Sequence, residues 1–135
     1  MKVITLLIVL LSCIWISSYA KETKRPAPTL ADVPYAEYGR TKIDFWQAEG
    51  KGARPIMVFI HGGGWSGGGK DKISASEIEK CLTHGISVAS VGYRLLGTAI
   101  LPTPVHDAAR AIQFIRSKSK EWKIDKNRVM LTGSS

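Results

Sequence analysis

The sequence has few of the residues from which disulfide scaffolds and metal sites are built. It holds two cysteines and three histidines. If residues 1–20 are removed, as argued below, Cys81 is the one cysteine left, and a single cysteine cannot form an internal disulfide. Cys81 and His84 have the spacing of two residues on one face of a helix. A zinc site would need a second pair of ligands, and none accompanies them in the sequence. We therefore expect no metal site.

Acidic residues are also scarce, with 11 Asp and Glu against 19 Lys and Arg and a formal net charge of +8. Such an excess of positive charge is typical of proteins that bind nucleic acids or membrane surfaces. Here the basic residues are scattered. Their densest run, residues 116–120, falls at the end of a predicted helix, where cations interact favourably with the helix dipole. No nucleic-acid-binding motif is present, so nucleic acid is not an expected partner.

The longest apolar run lies at the N-terminus. Lys2 precedes the largely apolar residues 3–11, and the small residues of Ser18-Tyr19-Ala20 follow, as at a signal-peptidase site. We expect residues 1–20 to be an export signal that is cleaved after Ala20. The product would be secreted or periplasmic, with no membrane span after signal removal. A retained membrane anchor is one alternative, and a lipid anchor on Cys13 is another.

The rest of the chain divides into a linker and one domain. Residues 21–32 are charged and contain Pro26 and Pro28, which is typical of a linker. Residues 33–135 form the domain. Its predicted strands are 33–38, 42–47, 56–60, 86–91 and 128–132, and its predicted helices are capped by Ser74 and Thr103. Two antiparallel-type strands followed by βαβαβ predict an α/β fold with a mixed, mostly parallel sheet and flanking helices.

Local patterns refine two of these elements. Ile43 and Phe45 alternate with Lys42, Asp44 and Trp46. This alternation indicates an antiparallel strand with one solvated face. Ser74 with Glu77 predicts a capping box at the start of the first helix. Gly85 is the expected residue just past the end of that helix.

The most informative stretch is the apolar run Pro55–Ile60 followed by His61-Gly62-Gly63-Gly64-Trp65. The run lacks alternation, which predicts a strand buried on both faces. The glycines allow positive φ and a close approach of the backbone to a ligand. Exposed N–H groups at the end of such a strand suit a negative charge, as in the oxyanion hole of acyl-transfer enzymes. A glycine-rich turn that binds nothing is the alternative.

The last predicted strand ends at Gly133-Ser134-Ser135, which supplies the first three positions of the nucleophile elbow G-x-S-x-G. Any chain rich in serine and glycine can contain such a tripeptide. Its value comes from its place at the end of the third predicted parallel strand, downstream of the glycines.

With these motifs the sequence resembles the α/β-hydrolase esterases of the lipase and carboxylesterase branch that carry an HGGG loop. This group includes feruloyl-esterase-like and hormone-sensitive-lipase-like enzymes. The motifs are, in order, His61-Gly62-Gly63-Gly64-Trp65, Tyr93-Arg94-Leu95, Pro102–Asp107 with Ala108-Ala109, and Asp125-x-x-Arg128 before Gly133-x-Ser135. The resemblance covers about residues 40–135, nearly all of the chain after the signal.

The resemblance implies roles for the residues that would carry the chemistry. Ser135 would be the nucleophile that forms the acyl-enzyme. The backbone N–H groups of Gly62 and Gly63 would donate to the oxyanion. Removal of one such donor typically costs about 3–4 kcal/mol of transition-state stabilisation.

The resemblance also implies supporting roles. His61 would orient the loop rather than act as the base, and Gly64 would belong to the same loop. Trp65 would line the acyl pocket or pack beneath the loop. Asp107 would hold the segment that begins at Tyr93-Arg94, through an ion pair with Arg94.

In such hydrolases the acid and the His of the triad follow the nucleophile along the chain, whereas His84 and His106 precede Ser135. We therefore expect residues 33–135 to be an incomplete α/β-hydrolase domain, inactive by itself. The strand before Gly133 would be left as an unpaired apolar edge.

The expected function of the full-length parent is hydrolysis of a carboxylic ester, with a small ester or an acylated carbohydrate as substrate. The resemblance implies no cofactor, since this chemistry needs none. An exopeptidase of the prolyl-oligopeptidase type is an alternative on the same fold. A second alternative is a chain that does not catalyse, either a truncated relic or a binding module.

Overall fold

A computed structural model describes residues 24–135. The predicted export signal of residues 1–20, its cleavage site after Ala20 and the alternative lipid anchor at Cys13 lie outside the described residues. Within the described part of the chain, no helix is both long enough and apolar enough to cross a membrane.

The elements follow one another in the predicted order, three strands and then two helix–strand units. The strands are β1 (Leu30–Pro34), β2 (Lys42–Trp46), β3 (Arg54–Ile60), β4 (Ser87–Val91) and β5 (Ile124–Gly133), and the helices are α1 (Ala75–Thr83) and α2 (Thr103–Ser117). A short 3₁₀ turn, Lys70–Lys72, precedes α1.

The five strands form one mixed sheet in the order β1-β2-β4-β3-β5. β3 pairs in parallel with both β4 and β5, whereas β2 pairs antiparallel with β1 and β4. Four strands therefore point one way and β2 points the other, which confirms the predicted mixed, mostly parallel sheet. The carboxyl ends of β3, β4 and β5 consequently lie at one edge of the sheet, where α/β folds bind their ligands.

The two helices cover opposite faces of the sheet. On one face Val58 of β3 packs in a cluster with Ile115 of α2. On the other face Phe59 packs in a cluster with Ile78 of α1. Because successive residues of a strand point to opposite faces, β3 is buried on both sides, as its unbroken apolar run predicts.

The predicted boundary between linker and domain is shifted. β1 begins at Leu30, so the last residues of the predicted linker, 30–32, belong to the sheet. The strand then ends at Pro34 instead of reaching residue 38, and residues 35–38 form a bend.

The prediction that β2 has one solvated face is wrong, because residues 43–46 are all buried. The Asp44 carboxylate accepts a bond from Lys70 Nζ at 2.7 Å, and Trp46 Nε1 donates to the Pro26 carbonyl at 2.9 Å. The turn before α1 and the segment before β1 thus cover the face that was expected to contact water.

Both ends of α1 match the sequence signals. The Ser74 hydroxyl accepts from the Glu77 amide, and the Glu77 carboxylate accepts from the Ser74 amide, each at 3.2 Å. This is the predicted capping box. Gly85 follows the helix with φ +70°, the left-handed conformation that favours glycine.

The start of α2 differs from the prediction. Thr103 is the first helical residue rather than the cap, and the structure gives this helix no side-chain cap in the described residues. The buried positions of α2 are Pro104, Asp107, Ala111 and Ile115, which keep helical spacing. The Asp107 carboxylate therefore lies on the buried face of α2, near the start of the helix and the carboxyl ends of the parallel strands.

β5 is longer than predicted, because it begins at Ile124 rather than at residue 128. Near its start the Asp125 carboxylate accepts a hydrogen bond from the Asn127 amide at 2.9 Å, a contact that is typical of turns. β5 lies at the edge of the sheet formed by the described residues. Met130 and Leu131 there are 52% and 56% exposed, as expected of an unpaired apolar strand.

Candidate active site

The segment that follows β3, residues 61–69, forms a tight glycine loop. Gly63 and Gly64 have φ of 118° and 57°, which side chains other than glycine's rarely permit. The amides of Ser66 and Gly67 both donate to the Gly63 carbonyl at 3.0 Å. The loop therefore turns back on itself immediately after the buried strand, at the carboxyl edge of the sheet.

Trp65 also adopts a positive φ, 61°, which costs an L-residue roughly 1–2 kcal/mol. Contacts to the segment after β4 offset this cost. The Leu96 amide donates to the Trp65 carbonyl at 2.9 Å, and the Trp65 ring lies 5.3 Å from the ring of Tyr93. Trp65 both packs against Tyr93 and lines the cavity described below, so the structure gives it each of the two positions weighed from the sequence.

His61 is buried beneath the loop. Its ring stacks on that of Tyr93 with a centroid distance of 4.0 Å, and its Nδ1–H donates to the Gly62 carbonyl at 2.9 Å. Burial lowers the pKa of the imidazole and outweighs the opposite effect of the Gly62 carbonyl. Its Nε2 atom has no hydrogen-bond partner in the described part of the chain. A neutral, stacked imidazole of this kind supports the loop.

The segment after β4, residues 92–101, supports the glycine loop from the side. The Tyr93 hydroxyl donates to the His61 carbonyl at 2.6 Å. Arg40 joins the two segments, because its Nε donates to the Tyr93 carbonyl at 3.1 Å and its Nη2 to the Gly68 carbonyl at 2.7 Å. This role of Arg40 is not predictable from the sequence, since an arginine in a turn before a strand carries no signal of such contacts.

Arg94 and Asp107 form the predicted ion pair. The Arg94 Nε and Nη2 atoms each lie 2.7 Å from an Asp107 carboxylate oxygen, and the Arg94 amide adds a third bond at 3.2 Å. Burial alone would raise the pKa of Asp107, but these hydrogen bonds and the Arg94 charge bring it below its ordinary value. The ionised carboxylate thus ties the segment after β4 to α2. The Arg94 guanidinium also lies over the Tyr38 ring, 3.7 Å from its centroid.

Ser134 and Ser135 follow β5 and are exposed beside the glycine loop. Gly62, Trp65, Tyr93 and Ser135 are among the residues that line a cavity of about 280 Å³. The fold therefore brings the predicted nucleophile and the glycine loop to one cavity, although they are separated by more than 60 residues.

The Gly62 amide, predicted as an oxyanion donor, has an acceptor within the chain. Its N–H donates to the Ser134 hydroxyl at 3.1 Å. The amides of Gly63 and Gly64 donate to no acceptor in residues 24–135. This distinction among the three amides is not predictable from the sequence, because three consecutive glycines give no sign of which amides stay free.

The two other histidines lie elsewhere on the surface. His84 caps the C-terminus of α1, where its Nδ1 contacts the Lys80 carbonyl at 2.7 Å. Because α1 leads into the start of β4, His84 lies at the amino ends of the parallel strands, whereas Ser135 lies at their carboxyl ends. His106 is exposed in the first turn of α2.

A mixed α/β sheet with a glycine loop and a serine at adjacent strand ends is the arrangement of an α/β-hydrolase. The BD-FAE family model matches residues 43–135, more than half of the chain. The chain therefore belongs to the BD-FAE family, a family of α/β-hydrolase esterases.

Similar proteins agree with this assignment. The carboxylic ester hydrolase LipN of Mycobacterium tuberculosis is 35% identical over 98 residues, which cover 72% of this chain and 26% of LipN. Carboxylesterase NlhH of the same organism is 28% identical over 106 residues, or 78% of this chain and 31% of NlhH. The chain thus spans less than a third of the length of either relative.

Among solved structures, a truncated form of a carbohydrate esterase from gut microbiota is similar, with a TM-score of 0.71 and 25% identity. The match covers 86% of this chain and 41% of that chain.

Proposed function

We propose that the whole protein, of which this chain would be the N-terminal part, hydrolyses carboxylic esters through an acyl-enzyme on Ser135. The observation that carries the proposal is the shared cavity of about 280 Å³, lined by both the glycine loop and Ser135. The two curated relatives support it, since both are named as ester hydrolases.

In the proposed first step the Ser135 Oγ attacks the carbonyl carbon of the ester, and a general base takes the hydroxyl proton. The carbonyl oxygen becomes an oxyanion, and the intermediate then expels the alcohol, which receives the proton. Water hydrolyses the acyl-enzyme by the same route in reverse. None of His61, His84 and His106 suits the role of base, since the first is buried and stacked and the second lies at the opposite edge. His106 precedes the nucleophile, against the chain order of such triads, so the base and its acid partner would come from the rest of the whole protein.

The oxyanion would accept hydrogen bonds from Gly63 and Gly64. These two amides are unengaged in the described residues, and Gly64 is among the residues that line the cavity. Gly62, the other donor expected from the sequence, would serve the loop through Ser134. Each donor of this kind typically contributes about 3–4 kcal/mol to transition-state stabilisation.

We propose a small ester or an acylated carbohydrate as substrate. The similarity to a carbohydrate esterase supports a sugar as the alcohol. Export through residues 1–20 would bring the enzyme to such substrates outside the cytoplasm.

The test is hydrolysis of p-nitrophenyl acetate and of an acetylated oligosaccharide by the whole protein. Ser135→Ala should abolish both activities, and Ser117→Ala, an exposed serine at the end of α2, should abolish neither. An aminoacyl p-nitroanilide tests the exopeptidase alternative. Ester hydrolysis that survives in Ser135→Ala, or turnover of the anilide alone, would contradict the proposal.

A further inference from the structure

One peptide bond of the glycine loop is held at both of its polar groups. The His61 carbonyl accepts from the Tyr93 hydroxyl at 2.6 Å, and the N–H of the same peptide, on Gly62, donates to the Ser134 hydroxyl at 3.1 Å. The two partners come from different strand ends, Tyr93 after β4 and Ser134 after β5. The plane of this peptide is therefore fixed from two directions.

The backbone of Gly62 also lies directly against the nucleophile segment. A Cβ atom built on Gly62 would be 2.5 Å from the Ser134 carbonyl oxygen and 2.8 Å from the Ser135 carbonyl carbon. The two segments thus touch through backbone atoms, with a side-chain hydrogen bond beside the contact. The His61–Gly62 peptide precedes the free amides of Gly63 and Gly64. Its orientation consequently depends on the position of Ser134.

We propose that Ser134 is a positioning residue, whose hydroxyl holds the glycine loop in register with the Ser135 nucleophile. The proposal rests on the proposed function. Ser134 would neither attack the ester nor touch the oxyanion. By accepting the Gly62 hydrogen it keeps the two following amides directed at the place where the oxyanion forms, and such fixed donors are the main source of catalysis in acyl transfer.

The test compares Ser134→Ala with Ser134→Thr in the whole protein, with Ser117→Ala as the matched control. Ser134→Ala should lower kcat for p-nitrophenyl acetate about tenfold, less than the 10²–10³-fold that follows loss of a donor itself. The melting temperature should stay close to that of the wild type because Ser134 is exposed. KM should change less than kcat, because the proposed role of Ser134 is to position the oxyanion donors and not to bind the ester. Ser134→Thr keeps the hydroxyl and should restore kcat. A boronic acid, which mimics the tetrahedral adduct, should bind Ser134→Ala more weakly in the same proportion.

Hydrogen exchange provides a readout that does not depend on activity. Peptides that contain residues 61–69 should exchange about fivefold faster in Ser134→Ala, the factor that one ordinary hydrogen bond supplies. Unchanged exchange and unchanged kcat in Ser134→Ala would overturn the proposal. Complete inactivity equal to that of Ser135→Ala would also overturn it, since Ser134 would then act in the chemistry itself.

The two proposals fail in different ways. If the wild-type protein hydrolyses no ester while Ser134→Ala still accelerates exchange in the loop, the proposed function fails and the contact stands without its catalytic role. If the wild type is active and Ser135→Ala is not, the function stands, and the Ser134 variants alone decide the positioning role.

Discussion

The close contact between Gly62 and the nucleophile segment makes Gly62→Ala a demanding test of the site. The added Cβ would lie 2.5 Å from the Ser134 carbonyl oxygen and 2.8 Å from the Ser135 carbonyl carbon. Favourable contacts between such atoms begin near 3.5 Å, so the loop and the nucleophile must separate by roughly 1 Å. The obstacle is backbone on both sides, which a change of rotamer cannot relieve.

A misplacement of about 1 Å can lower an enzymatic rate about 100-fold. We therefore expect Gly62→Ala to lower kcat/KM of the whole protein for p-nitrophenyl acetate by about 100-fold, equivalent to about 2.7 kcal/mol of transition-state stabilisation. Overpacking should also reduce the free energy of unfolding by about 1–3 kcal/mol. Kinetics should accordingly be measured well below the melting temperature of the variant.

Gly39→Ala is the matched control. A Cβ at Gly39 would meet no atom within 4 Å, and its φ lies outside the left-handed region, so activity and stability should stay close to those of the wild type. If Gly62→Ala were as active as Gly39→Ala, the loop and Ser135 would not be in contact in the working enzyme. The arrangement of the oxyanion donors argued here would then be refuted.

Two further predictions concern stability. Ser74→Ala removes the capping box of α1 and should lower the free energy of unfolding by about 1 kcal/mol in urea denaturation, with kcat unaltered; an unchanged urea midpoint would contradict the cap. Burial lowers the pKa of His61, so below the unfolded value of about 6.5 the unfolded chain binds a proton that the folded chain does not. Stability should therefore fall between pH 7 and pH 5.5, and His61→Gln should show a smaller fall; equal slopes in both proteins would refute the buried, neutral state.

The sequence predicts the fold class because the parallel strands carry strong local signals. Residues 56–60 are apolar without alternation, a pattern typical of a strand in a parallel sheet whose two faces are covered by helices. Ser74, Glu77 and Gly85 mark the ends of α1 through hydrogen bonds and a backbone conformation that involve near neighbours in the chain. Such signals need no knowledge of the tertiary structure.

The errors lie where distant segments meet. The sequence pattern predicts that Asp44 is a solvent-exposed residue of an amphipathic strand. In the structure it is buried against Lys70, 26 positions further along the chain. Trp46 is buried in the cluster that contains Phe59 and Ile78, and the carbonyl of Pro26, 20 positions earlier, accepts its indole hydrogen. Arg40 likewise gains its role from the carbonyls of Tyr93 and Gly68. No local pattern contains these partners, so no reading of the neighbouring residues can supply them.

The glycine loop shows the same division within one motif. Its glycines are predictable because φ values such as 118° at Gly63 are a local demand of the turn. Which amide is free to bind an oxyanion is a tertiary property, since Ser134 reaches the Gly62 amide across 72 positions. In the positioning role proposed for it, the Ser134 hydroxyl acts on the glycine loop rather than on the Gly-x-Ser segment that contains it. This is why Ser134→Ala and Ser134→Thr should differ although both replace a residue at the variable position of the elbow.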